Sequence, residues 1–101
     1  MENIPFGTYL RQLREANQMP LRKLAAALDI DTSTLSKIER QERQANSTMM
    51  PIIAEVFNLE LREVSIRFWT EKISQDLQSE PFAEDILESL LKKVKNNFTN
   101  A

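Results

Sequence analysis

The sequence predicts an all-α protein, and three observations carry that prediction. One Gly and four Pro among 101 residues leave little material for hairpins. Strings of Leu, Ala, Glu, Lys, Arg and Gln are good helix formers. Apolar residues recur three and four positions apart along most of the chain, the spacing of one helical face.

The elements follow in order. A first helix starts near Pro5, whose missing N–H costs nothing in a first turn. It buries Phe6, Leu10 and Leu13 with Tyr9 beside them, and Asn17 and Gln18 close it. Pro20 opens a second helix with Leu21, Leu24, Ala25 and Leu28 as its apolar face. After the turn "DID", Asp31 is a good N-cap for a third helix, in which Leu35 and Ile38 point inward. "QERQANST" is a polar connection. A fourth helix carries Met50, Ile53, Ala54 and Phe57; Pro51 is tolerated only in its first turn, so its start lies late. Asn58 suits the left-handed residue that ends a helix. Residues 60–78 run with helical spacing as one long helix, or two with a bend near Ser65. "SEP" is a break, and Pro81 begins a last helix. There Phe82, Ile86, Leu90 and Val94 form a stripe flanked by Leu87, Leu91 and Phe98.

Composition removes several function classes. No Cys and no His means no disulfide, no thiolate metal site, and neither the commonest general base nor the commonest zinc ligand. The carboxylates are scattered along helical faces, without the paired arrangement that raises a pKa. An enzyme is therefore not expected, nor a cofactor, a bound metal or a small-molecule effector domain. No apolar run approaches the roughly 20 residues of a membrane span. "MENIPFG" lacks the basic start and apolar core of a signal peptide. A cytoplasmic, bacterial protein is the expectation, with no membrane partner.

The stretch "LRKLAAALDIDTSTLSKIER" holds two short helices too close together for a hairpin. Ala25 is small where a second helix must cross closely. Asp29 sits in the tight turn, where positive φ is needed and Asp tolerates it. Such a turn forces the steep crossing of a helix-turn-helix, whose second helix enters the DNA major groove. With Leu35 and Ile38 buried, Thr32, Ser33, Ser36, Lys37 and Arg40 face outward. Hydroxyls exchange hydrogen bonds with base edges and phosphates, and lysine reaches guanine O6 and N7. Thr32, Ser33, Ser36 and Lys37 are the candidate base readers. Arg14, Arg22, Lys23, Arg40 and Arg43 are the candidate phosphate contacts, with double-stranded DNA as the partner.

"FGTYLRQLREANQMPLRKLAAALDIDTSTLSKIERQER" resembles the Cro/repressor-type helix-turn-helix (XRE) family, most tellingly in "LRQLRE", "LRKLAAAL" and "STLSKIER". The resemblance covers Phe6 to Val64 and implies a lambda-repressor-like five-helix domain. It places Thr32, Ser33, Ser36 and Lys37 toward bases or nearby phosphates, and it pairs Arg14 with Glu39 to join the first helix to the third. Three positions depart from the family pattern. Leu21 stands where Gln often touches phosphate, Asp29 and Gln41 stand where Gly is usual, and Pro20 replaces a Ser or Thr cap.

The net charge of −2 argues against a nucleic-acid binder until the charges are placed. Residues 1–67 hold nine basic and nine acidic side chains, and residues 68–101 hold four and six. The acidity therefore belongs to the C-terminal part, while affinity for DNA follows the local field. The basic "KKVKNNF" is read as complementing a helix dipole rather than as a DNA contact.

The expected domains are 1–65, binding DNA, and 66–101, a helical extension whose apolar stripes need covering. A second copy is the expected cover, through Leu61, Phe68, Trp69, Ile73, Phe82, Ile86 and Leu90. Two recognition helices would then stand about 34 Å apart across a dyad, on a palindromic operator. A compact regulator with no sensor domain resembles the autoregulatory controller proteins of restriction–modification systems. Phage repressors and antitoxins are close alternatives, with RNA polymerase a further partner left open. From another class, the fold could serve as a protein-interaction module without strong DNA binding of its own.

Overall fold

A computed structural model describes residues 4–99, with backbone alone at 98 and 99, so the Phe98 side chain lies outside the described residues. The described residues form six α-helices and one 3-10 turn, with no strand. In order these are α1 (Phe6–Ala16), α2 (Leu21–Ala27), α3 (Thr32–Glu39), the 3-10 turn Ser47–Met49, α4 (Met50–Val56), α5 (Leu61–Leu77) and α6 (Ala83–Thr99). None of them is long and apolar enough to cross a membrane. One compact unit ends at Glu71 and a second begins at Lys72. The first thus reaches past residue 65, for a reason supplied by α5.

The core of the first unit is built by the predicted stripes. Leu10, Leu24, Leu35, Met50, Ile53 and Val64 are fully enclosed, with Phe6, Ala25, Leu28, Ile38 and Phe57 around them. Phe68 joins them at 4% exposure, its ring edge-on to that of Phe6 at 5.7 Å. Three residues further along α5, the Glu71 carboxylate accepts the Phe6 backbone N–H at 2.7 Å. Pro5 has no side chain able to cap α1. Glu71 satisfies one of that helix end's orphan donors in its place. These two contacts are why the first unit keeps ten residues of α5 beyond Leu61. Arg67, one turn before Glu71, lies 4.2 Å over the Tyr9 ring.

Helix starts and stops explain themselves locally. Asp31 accepts from the Thr34 N–H at 2.7 Å, as its N-cap role requires. Asn46 caps the 3-10 turn by accepting from the Thr48 N–H at 3.1 Å, and Pro51 falls in the first turn of α4. Four helices end in one device, a paired closure with a left-handed residue after the helix. In α2 the Asp29 N–H donates to Ala26 and the Ile30 N–H to Ala25. The same two bonds recur after α1, α3 and α4. The left-handed residues are Gln18, Asp29, Gln41 and Asn58, with φ of 51°, 57°, 62° and 53°. None is glycine. Asp29 and Asn58 were expected in that role; Gln18 was not, because nothing in "ANQMP" distinguishes Gln18 from Asn17 as the reversing residue.

In the C-terminal part, α5 is one helix through Ser65 rather than two. The last helix begins at Ala83, two residues later than Pro81. Glu80 holds Pro81 and Phe82 in a turn, its carboxylate accepting the Phe82 N–H at 3.4 Å and its carbonyl the Ala83 N–H at 3.3 Å. Helix α6 then runs to Thr99, so Lys92, Lys93 and Lys95 lie inside it and no basic residue occupies its last turn. A dipole effect fades within that turn. It therefore explains these lysines less well than expected.

Candidate nucleic-acid interface

Helices α2 and α3 pack on each other through Leu24, Ala25, Leu28, Leu35 and Ile38, all buried. The outer side of α3 carries Thr32, Ser33 and Lys37 exposed, with Ser36 half-buried between them. Thr32 and Ser33 occupy its first turn, where free backbone amides also point outward.

The rim is basic. Arg22, Lys23, Lys37 and Arg43 are exposed, and no salt bridge among the described residues engages them. The Thr34 N–H first, then the Thr34 hydroxyl, and to a lesser degree the Lys37 and Arg43 charges, lower the pKa of the Asp31 carboxyl. Arg40 differs. Its Nη1 donates to Ser36 Oγ at 2.6 Å and its Nε to the Glu42 carboxylate at 2.5 Å. That hydrogen bond lowers the Glu42 pKa and raises that of Arg40. Sequence reasoning missed Glu42. The signal was its place two residues after Arg40 in "ERQER".

Arg14 is not part of this rim. Its Nε and Nη2 donate to the two Glu39 carboxylate oxygens at 2.8 and 2.9 Å, and its Nη1 to the Met19 carbonyl at 3.1 Å. The side chains are 15% and 5% exposed. A guanidinium committed to a buried carboxylate and a backbone carbonyl has little left for phosphate, so the phosphate role expected of Arg14 is withdrawn in favour of the structural one. The fork of two parallel bonds is the strong geometry for such a pair.

Elsewhere along α1, it and α3 touch through their backbones. Gly7, the chain's one glycine, is where they do so. The Gln41 amide adds a second tie, donating to Thr8 Oγ1 at 2.9 Å and to the Glu39 carbonyl at 2.7 Å. The end of the presented helix is thereby fixed on α1.

A family model described as Helix-turn-helix matches residues 10–64, more than half of the chain. The chain belongs to the helix-turn-helix family, of the XRE type. The matched span runs from α1 into the first turn of α5 and contains α2 and α3 whole. No curated protein and no solved structure matches the chain. As a helix-turn-helix domain of this type, residues 10–64 form a DNA-binding domain of the kind found in transcription regulators.

The residues expected at a subunit interface divide. Phe68 leaves that set, because it is spent in the core against Phe6. Ile86 is half-buried, while Leu61, Trp69, Ile73, Phe82 and Leu90 are exposed. Trp69 lies edge-on to Phe68 at 5.2 Å and still leaves 43% of its surface open. Among the described residues no cluster of acidic side chains could hold a metal ion.

Proposed function

We propose that this helix-turn-helix protein is a sequence-specific transcription regulator that binds a palindromic operator as a homodimer. The observation that carries the reading is the outer row of α3, with Thr32, Ser33, Ser36 and Lys37 on a rigid two-helix platform and a basic rim beside it. In this reading α3 lies in the major groove. Thr32, Ser33, Ser36 and Lys37 meet base edges, and Arg22, Lys23, Arg40 and Arg43 take phosphates. Arg40 must exchange Glu42 for phosphate as it docks. The protein works without a cofactor or chemical step, in the cytoplasm at the nucleoid.

A single domain of this type covers half a site, and two copies give both affinity and specificity. The exposed apolar side chains of α5 and α6 support the second copy. The regulator resembles the autoregulatory controllers of restriction–modification systems, and we assign it to that kind. Contact with RNA polymerase would accompany an activating role.

Binding of the upstream region of its own operon, followed by gel mobility at increasing salt, tests the reading. Affinity should fall steeply with salt, with a slope set by the phosphates neutralised. Lys37→Ala and Ser33→Ala should cost discrimination between sites, about 1–3 kcal/mol for the lysine. Binding indifferent to both variants would remove α3 from the groove. A second reading, a protein-interaction module on the same fold, is favoured by one observation. Glu42 already occupies Arg40, one of the expected phosphate contacts. Retained folding with no DNA binding at low salt would select it.

A further inference from the structure

Arg40 ends α3 and is held from two sides. Its Nη1 donates to Ser36 Oγ, one helical turn back, and its Nε to the Glu42 carboxylate. The backbone prepares the second contact. After α3 the Gln41 N–H donates to the Ile38 carbonyl and the Glu42 N–H to the Lys37 carbonyl, with Gln41 left-handed between them. The Gln41 amide is itself tied to Thr8 and to the Glu39 carbonyl. Glu42 is therefore delivered to Arg40 by a fixed helix closure, not by a free loop.

The charge at this point bears on DNA. The Glu42 pKa is lowered first by the hydrogen bond from Arg40, then by the Arg40 charge, and last by that of Lys37. The carboxylate is thus an anion placed among cations that the DNA-binding reading assigns to the duplex. Of Arg22, Lys23, Arg40 and Arg43, only Arg40 has a salt bridge among the described residues. Its side chain and that of Glu42 are each 53% exposed. An exposed pair of this kind is weak and open to exchange. A phosphate that takes its place gains only the difference between two anions.

We propose that Glu42 is an internal competitor for the DNA phosphate at Arg40, a resident anion that limits how tightly α3 holds the duplex. The proposal rests on the DNA-binding reading above and adds a brake to that same site. The brake acts through Arg40 and not through repulsion of the duplex at large. Phosphate contacts carry no direct sequence information, so it sets affinity without changing the choice of site.

Glu42→Gln in the full-length protein keeps the side chain's shape and removes its charge. Circular dichroism should show the parent's fold and melting temperature, because the pair lies at the surface. Gel mobility at low salt, with the upstream region of the operon and with an unrelated duplex of equal length, should show tighter binding to both. The expected gain is about two- to fivefold, the range of an exposed ion pair. In an Arg40→Ala background the same change should alter affinity little, since the competitor then has nothing to hold. That double-mutant cycle isolates the pair. Equal tightening with and without Arg40 would mean plain repulsion between Glu42 and DNA and would overturn the proposal, as would no tightening in the parent background. If the parent bound neither duplex, binding by Glu42→Gln would support the brake. Silence from both proteins would remove the brake and the DNA-binding reading together.

Discussion

A β-carbon placed on Gly7 would stand 2.0 Å from the carbonyl oxygen of Ile38. The obstacle is backbone, not a side chain that can swing away, and the Glu39 carbonyl stands close behind it at 3.1 Å. Helix α1 thus meets the C-terminal end of α3 at a distance only glycine allows. The presented helix is held by that contact, by the Arg14–Glu39 fork and by Gln41.

Gly7→Ala should therefore push α3 off α1. Forcing atoms into a packed site costs about 1–3 kcal/mol and occasionally more, and here the upper end is expected. Thermal unfolding followed by circular dichroism would show the loss, and DNA affinity should fall with it. A variant within about 0.5 kcal/mol of the parent, the range of an ordinary surface substitution, would mean the approach is not so close.

Removing Glu39 strands a cation that is 15% exposed. Breaking one side of a buried pair costs about 3–5 kcal/mol; because Arg14 keeps some contact with water and with Met19, Glu39→Ala should sit near 2–3 kcal/mol. Replacing both partners, Arg14→Met with Glu39→Leu, should cost less than Glu39→Ala alone. Additive losses in that double-mutant cycle would show no coupling between the two.

The left-handed closures separate two effects. At Asp29 the backbone is at φ 57° with no side-chain tie. Asp29→Ala should cost about 1 kcal/mol, whereas Asp29→Gly should be neutral or stabilising by about 0.5 kcal/mol, its relief offset by greater freedom in the unfolded chain. Gln41→Gly relieves the same strain but loses the bonds to Thr8 and Glu39. Its denaturant midpoint should lie below that of Asp29→Gly. If both glycine variants behaved alike, those side-chain bonds would be worth nothing.

Asp31 and Tyr9 each tie stability to pH. The folded-state pKa of Asp31 is lowered, chiefly by the Thr34 N–H. Its contribution is present above the unfolded value of about 3.9 and lost as pH falls through the lower folded value. Asp31→Asn, which still caps, should lack that part of the acid loss. Tyr9, the chain's one tyrosine, has its pKa raised by burial first, against the lowering effect of Arg67 and with a smaller raising effect of Glu63. Its contribution is present below pH 10 and lost as pH rises through the folded value. Phenolate absorbance should appear above pH 10 and accompany unfolding. Titration at or below the free-tyrosine value in folded protein would contradict its burial.

Much of this protein is legible in its sequence because the forces that set its helices act over three or four residues. Apolar spacing placed the helices, Asp31 marked the start of α3, Asn58 the end of α4, and the hydroxyls of "DTSTLSK" marked the outward face. Long-range geometry was not legible. Nothing near Phe6 says that Glu71, 65 residues away, caps its N–H. Periodicity states that a face of α5 is apolar but not what covers it, so Phe68 looked like an interface residue until its contact with Phe6 placed it in the core. Arg14 was expected to pair with Glu39 and also to reach phosphate; the pair is there, but three of its nitrogens are taken by Glu39 and Met19. A pattern along the chain fixes which side of a helix avoids water. Which neighbour meets that side is decided when distant segments compete for the same surface, and only the folded chain records the winner.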